Sequence, residues 1–313
     1  MTPLLFKLAA GLLSLYVGGE LMVRGSAALG LRLGMTPLLT GLTIVAFGTS
    51  APELVVSLQA AWRGQTGLAM GNVVGSNIAN IALVLGLSTL MRPVEIDSRL
   101  VRHDVPIMLV CSLVLVLMLI DHQLSRPEGV ALLLGLIAFL VFTVYDSQAP
   151  KAAVRREFAE AIPGNTQSWS LAFLMVLTGA VTLIWGGGLF VTGAMGVSVV
   201  LGVAPAVVGL SVTAIGTSLP ELATSLVAAV RGYGDMAVGN VVGSNIFNIL
   251  FVLGLTSTVT PLNRGGVSIL DLVIMLAFSV VSMRLLASHA VMERWEGAVL
   301  VSGFLAYMAW LFA

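Results

Sequence analysis

The sequence predicts an all-α integral membrane protein in which ten transmembrane helices form two inverted five-helix repeats. Three observations carry that reading: an apolar composition, ten long apolar runs and a gapless internal repeat. Of the 313 residues, 58% are hydrophobic and only 10% are charged, where an ordinary soluble domain carries about 25% charged residues. Mean hydropathy is +1.04. A surface so short of charge cannot face water all round, so lipid has to be much of the solvent.

Runs of about 20 apolar residues are long enough to cross a bilayer. Ten occur, near 4–23, 36–62, 66–90, 103–120, 128–145, 171–200, 204–230, 234–258, 268–286 and 296–313. The first resembles a secretory leader in place and length. Glu20 and Arg24 close it without a small-residue cleavage pattern, so it is kept as a span. The runs leave no room for a separate soluble domain. The division expected is a first membrane repeat at 1–145, a connector at 146–168 and a second membrane repeat at 169–313. The lone cysteine, Cys111, lies in an apolar run as a packing residue and excludes a disulfide framework. Net charge is zero and no basic stretch suits nucleic acid.

The basic residues predict sidedness. Lys7, Arg63, Arg126 and Arg264 fall at the N-terminus or in loops after even-numbered spans. Arg24, Arg32, Arg92, Arg99, Arg102, Lys151, Arg155, Arg156, Arg231, Arg284 and Arg294 fall after odd-numbered ones. The split of four against eleven makes the second group cytoplasmic by the positive-inside rule. A multi-pass protein of the inner cell membrane is expected, with both termini on the outer, periplasmic side and the connector in the cytoplasm.

Residues 41–90 align without a gap onto 209–258, an offset of 168 with 30 of 50 positions identical. Upstream, Gly18, Gly19, Gly25, Gly34 and Pro37 meet Gly186, Gly187, Gly193, Gly202 and Pro205. Five spans per half is an odd number, so the second repeat enters the membrane with opposite polarity. Inverted repeats are an architecture of secondary transporters, which place their sites at the midplane where interrupted helices meet.

The most similar parts of the repeats are also their most polar. GLTIVAFGTSAPE ends at Glu53 and GLSVTAIGTSLPE ends at Glu221; each is followed by GNVVGSNI and an Asn two residues on. Glu53 lies 17 residues into its span, where a charge costs at least about 2.5–3.5 kcal/mol. No Lys or Arg lies within spans two, three, seven or eight to pair with it or with Glu221; Arg63 and Arg231 are at their ends. Two such carboxylates need a cation, a proton or each other. Pro52 and Pro220 lack an N–H, which frees the carbonyls of Gly48 and Gly216. Freed carbonyls at membrane depth survive only against protein or a wet cavity. Thr49 and Thr217 precede the glutamates by four residues and share their helix face.

On the following spans, Asn72, Ser76 and Asn80, and again Asn240, Ser244 and Asn248, form polar stripes at four-residue spacing. Asn72 and Asn240 suit interhelical hydrogen bonds as well as ligation. Ser76, Asn80, Ser244 and Asn248 lie deeper beside Gly75 and Gly243 and are the stronger ligand candidates. An all-oxygen set suits hard cations such as Ca²⁺ and Na⁺, and no Cys or His joins it to suggest zinc, copper or iron. His103, His122 and His289 lie near span ends and read as surface residues. Glu20 and Arg24 are four apart and read as a helix pair, with Gly188 and Thr192 at the matching positions. Asp104 and Asp271 read as caps or interface residues.

GTSxPE followed by GNxxGSNIxN, present twice, resembles the sodium/calcium exchanger family within the calcium/cation antiporters. The resemblance implies a bundle whose spans two, three, seven and eight enclose four cation sites, with spans one and six sliding across it. It assigns ligand roles to Glu53, Thr49, Ser50 and Ser76, to Glu221, Thr217, Ser218 and Ser244, and to the backbone carbonyls of Ala46 and Ala214. Some members carry Asp where this chain has Asn248 opposite Asn80, so here two carboxylates are the only core charges.

The function expected is Ca²⁺/Na⁺ antiport. No cofactor is expected beyond the transported ions, and the partners are Ca²⁺, Na⁺ and the bilayer. A H⁺/Ca²⁺ or K⁺-dependent exchanger uses the same residues, and a channel lined by the glutamates is the alternative from another class. An enzyme would need a nucleophile–base pair or a metal cluster at depth, and the sequence offers neither.

Overall fold

The computed structural model describes residues 2–146, 168–200, 215–288 and 291–311. They are helical nearly throughout. In chain order the helices are α1 (Thr2–Leu33), α2 (Pro37–Trp62), α3 (Thr66–Met91), α4 (Leu100–Asp121), α5 (Arg126–Asp146), α6 (Trp169–Val200), α7 (Leu219–Val230), α8 (Gly234–Val259), α9 (Ile269–Ser288) and α10 (Arg294–Leu311). Eight of them are long and apolar enough to cross a membrane; α7 is apolar but shorter as described. Most of the expected connector lies outside the described residues, as do His289 and Ala214.

Burial divides the helices into a core and a periphery. In α8 and α3, 94% and 78% of the apolar window is buried, against 22% in α1 and in α6. Methionines, leucines and valines of α2, α3, α4, α8 and α9 form one continuous apolar core around the site described below. Leu, Phe and Trp side chains on the outer helices are exposed. That is the pattern expected where hydrocarbon replaces water.

α1 and α6 pack against each other along two glycine stripes seven residues apart in step. A Cβ added at Gly11, Gly18 or Gly25 would meet Phe190, Leu183 or Val176 at 2.6–2.9 Å. The stripe on α6 matches it, Gly179 against Met22, Gly186 against Ser14 and Gly193 against Leu8, at 2.6–2.9 Å. Only glycine lets two membrane helices approach this closely. The partners show that α1 and α6 run antiparallel.

Two two-residue ribbons join the helix ends. β1 (Val94–Glu95), after α3, pairs antiparallel with β4 (Val291–Met292), after α9. β2 (Gln123–Leu124), after α4, pairs with β3 (Leu262–Asn263), after α8. Side chains bridge the same ends. Arg92 Nη1 donates to the Val230 carbonyl at 3.3 Å, and Arg126 Nη2 donates to the Val259 carbonyl at 3.4 Å.

Two expectations need correction. The first span does not end near residue 23: α1 runs on to Leu33 and carries Arg24 within it. A long cationic side chain can lie along a helix and extend its charge outward, so a charge does not mark a helix end. Asp104 makes no side-chain capping bond to the helical stretch after it; it is fully buried at the end of a π-helical turn, Leu100–Asp104. The ribbons were not foreseen, because two-residue strands leave no periodicity to read. Asp271 does cap, accepting from the Ser268 N–H at 2.8 Å.

Candidate cation site

The site forms where two helices break in the same way. α2 is helical to Thr49, turns at Ser50 (φ −80°, ψ 3°), and restarts at Ala51 with Pro52 and Glu53 in the new first turn. At the second break, Ser218 has φ −85° and ψ 3°, and α7 begins at Leu219 with Pro220 and Glu221 in its first turn. Proline is favoured there because a first-turn N–H has no intrahelical partner. Each glutamate therefore sits at a half-helix N-terminus, where the exposed N–H groups and the helix dipole favour negative charge.

Glu53 and Glu221 are both fully buried. Ser50 Oγ, in the first repeat, donates to Glu221 Oε1 at 3.3 Å. Among the described residues no hydrogen bond reaches either oxygen of Glu53 or the second oxygen of Glu221. Three buried carboxylate oxygens without a hydrogen bond are expensive unless a cation or proton meets them.

Hydroxyls from both repeats surround the carboxylates. Ser76 Oγ and Thr217 Oγ1 are 3.1 Å apart, and Thr49 Oγ1 and Ser244 Oγ are 3.5 Å apart. Thr217 Oγ1 donates to Asn72 Oδ1 at 3.1 Å, and Thr49 Oγ1 donates to Asn240 Oδ1 at 3.2 Å. Each break is thus tied to the span after the other break. The Ala46 carbonyl accepts from the Ser50 N–H at 3.0 Å and from Thr49 Oγ1 at 3.4 Å. Ser218 Oγ has no partner among the described residues.

Asn72 and Asn240 are positioning residues. Asn72 Nδ2 donates to the Glu53 carbonyl at 3.4 Å and to Ser57 Oγ at 3.1 Å. Asn240 Nδ2 does the same to the Glu221 carbonyl at 3.5 Å and to Ser225 Oγ at 2.9 Å. Each amide holds the restarted helix against the next span. Ser57 and Ser225 escaped the sequence reading, although each lies four residues after its glutamate at the 168 offset.

Asn80 and Asn248 each open a π-helical turn, Asn80–Leu85 and Asn248–Leu253. Such turns often occur at functional sites, because the extra residue turns side chains and carbonyls out of register. Asn80 is fully buried with neither amide atom bonded among the described residues. Asn248 Nδ2 donates to Asn77 Oδ1 at 3.0 Å. Asn77 also donates to the Asn245 carbonyl, at 3.4 Å. Asn77 and Asn245 were missed because they lie between the stripe positions on the helix.

The contacts join Glu53, Thr217 and Ser76 through Asn72, and Glu221, Ser50, Thr49 and Ser244 through Asn240. The side chains of Ser218, Asn80 and Asn248 make no hydrogen bond to either set among the described residues. The chemistry is that of hard oxygens: carboxylates, hydroxyls, amide oxygens and a carbonyl, which suit Ca²⁺ or Na⁺.

Comparisons with known proteins converge. A family model described as sodium/calcium exchanger protein matches residues 4–145 and 171–313. A putative antiporter, CaxA, of Alkalimonas amylolytica is 37% identical over 310 residues, covering 97% of both chains. The sodium/calcium exchanger MaX1 of Methanosarcina acetivorans is 31% identical over 343 residues, again covering 97% of each. A solved structure of the sodium-calcium exchanger NCX_Mj superposes with a TM-score of 0.85 at 30% identity, covering 99% of each chain.

Proposed function

This chain belongs to the sodium/calcium exchanger family, and from that premise we propose that it exchanges Ca²⁺ for Na⁺ across a membrane by alternating access. The observation that carries the reading is the pair of fully buried glutamates, one per repeat, with three carboxylate oxygens free of protein donors. Ca²⁺ takes about six to eight oxygens, charged ones among them. Glu53 and Glu221 supply the charge. Thr49, Thr217, Ser50, Ser218, Ser76, Ser244, Asn80, Asn248 and the carbonyls of Ala46 and Ala214 complete overlapping subsites. Two carboxylates balance one Ca²⁺ or two Na⁺, so the ions displace each other through charge and shared oxygens.

The chain crosses the membrane ten times, as two inverted halves at 1–145 and 169–313 joined by a cytoplasmic connector at 146–168. Several contacts support this. α1 and its repeat equivalent α6 run antiparallel. β1 and β3 are equivalent at the 168 offset, yet β1 pairs with the segment after α9 and β3 with the segment after α4. Odd-numbered connections meet odd ones and even meet even. The four-to-eleven distribution of basic residues supports placing both termini outside the inner membrane.

The test is radioactive calcium uptake into proteoliposomes preloaded with sodium, potassium or acidic buffer. Uptake driven by an outward sodium gradient is expected. Uptake driven by a proton gradient without sodium would overturn the sodium assignment. Non-saturating flux independent of any counter-ion would indicate a channel.

A further inference from the structure

The two halves share their site residues but not their contacts with the outer helices. α1 lies on α7: a Cβ at Gly19 would sit 3.2 Å from the Ala223 carbonyl and 3.3 Å from Val227. At the matching place on α6, a Cβ at Gly187 would have the Gly216 carbonyl as its nearest contact, at 3.7 Å, and one at Gly188 would meet nothing within 4 Å. The face of α2 equivalent to Ala223 and Val227 is Val55 and Gln59, and both are exposed. The α1–α6 pair therefore closes over the Arg231 end of α7 and leaves the equivalent end of α2 open.

An ion-pair triad sits on that closed contact. Glu20 of α1, only 16% exposed, takes Arg24 Nε of its own helix at 2.5 Å. It also takes Arg231, at the end of α7, through both oxygens, with Arg231 Nε at 3.2 Å from Oε2. The residues 168 away from Glu20 and Arg24 are Gly188 and Thr192, and the mate of Arg231 is Arg63. No ion pair to Arg63 is found among the described residues. When inverted halves exchange conformations, α6 comes over α2 and the matching contact is Gly188 against Arg63, which carries no attraction.

We propose that the Glu20–Arg231 pair is a one-sided latch that biases the resting exchanger toward the state closed at the Arg231 face. It rests on the alternating-access reading above. Arg24 travels with Glu20 on α1, so releasing Arg231 does not leave a bare carboxylate. The latch is therefore weak enough to open in each cycle. Partly exposed pairs of this kind shift an equilibrium by about two- to five-fold.

A shift between two states changes the apparent affinity at the two faces in opposite directions. The experiment measures the half-saturating Ca²⁺ concentration at each face of oriented proteoliposomes, for wild type, Glu20→Gln, Arg231→Gln and the double variant. Sodium-dependent exchange should persist in all of them. The ratio of half-saturating concentrations, Arg231 face over opposite face, should fall about two- to five-fold in each single variant. It should fall no further in the double variant, since one interaction is being removed. Gly188→Glu, which places a carboxylate opposite Arg63 and so favours the exchanged state, should also lower that ratio. Active single variants with an unchanged ratio, additive shifts in the double variant, or a Gly188→Glu shift opposite in direction to that of Glu20→Gln would each overturn the latch. If one single variant fails to reach the membrane, the other still decides. Loss of exchange in the wild type would refute the transport reading instead, so the two failures are distinguishable.

Discussion

Glu53 and Glu221 stand at identical breaks, each preceded by GTS and followed four residues later by a serine, yet their surroundings differ. Glu221 accepts a hydrogen bond from Ser50, while neither oxygen of Glu53 has a donor among the described residues. Asn80 is unbonded among them, while its mate Asn248 is held by Asn77. The sequence is nearly symmetric here and the conformation is not. An alternating carrier has to break symmetry in each state it visits, so the difference belongs to the state, and the residue requirement belongs to both halves alike.

That comparison breaks first at the glutamates. Glu53→Gln and Glu221→Gln keep the shape and a carbonyl oxygen but remove one negative charge each. Sodium-dependent calcium flux, normalised to folded protein in the membrane, should drop to near background in either variant. Near-normal flux in one of them would mean that the halves are not equivalent and that the calcium site lies elsewhere.

The glycine seam gives the next largest effect. Gly179→Ala puts a methyl group 2.7 Å from the Met22 backbone nitrogen, so α1 and α6 must part, at a cost of about 1–3 kcal/mol. Gly188→Ala, on the same helix in open space, should cost nothing. Thermal melts of the two purified variants in detergent compare them; equal melting temperatures would show that the seam is not tightly packed.

Asn72→Ala and Asn240→Ala test the two clamps. Each loses hydrogen bonds to a glutamate carbonyl and a serine, worth about 1–2 kcal/mol. Calcium affinity measured by titration calorimetry should weaken by roughly tenfold, to a similar degree in both. A large effect in one alone would assign that clamp to a single state.

The smallest effect is graded with pH. A proton and a calcium ion compete for the same carboxylate oxygens, so calcium affinity should rise with pH and acidification should inhibit exchange. Calcium binding that does not change between pH 6 and 8 would argue against carboxylate ligation.

Much of this arrangement was legible in the residues. Buried charge without a cationic partner marked Glu53 and Glu221, because hydrocarbon makes such a group costly wherever the chain folds. The 168 offset then paired every site position with a mate, and Pro52 and Pro220 located the breaks through their missing N–H groups. Composition alone required a membrane. These are local or compositional facts, and they hold in any packing of the chain.

Other features depended on which helices meet. The bond between Glu20 and Arg231 spans 211 residues, and no spacing rule reaches across it. Glu20 looked complete with Arg24 one turn away, and Arg231 looked like a loop charge. The π-turns at Asn80 and Asn248 leave no mark in the spacing of apolar residues. The side chains of Asn72 and Asn240 could equally have faced ions or helices, and only the approach of Ser57 and Ser225 decided it. The sequence by itself determined two equivalent sets of oxygens at membrane depth. The tertiary structure alone decided how far each half is closed, because one sequence repeat is compatible with two packings and the choice lies in contacts between distant helices.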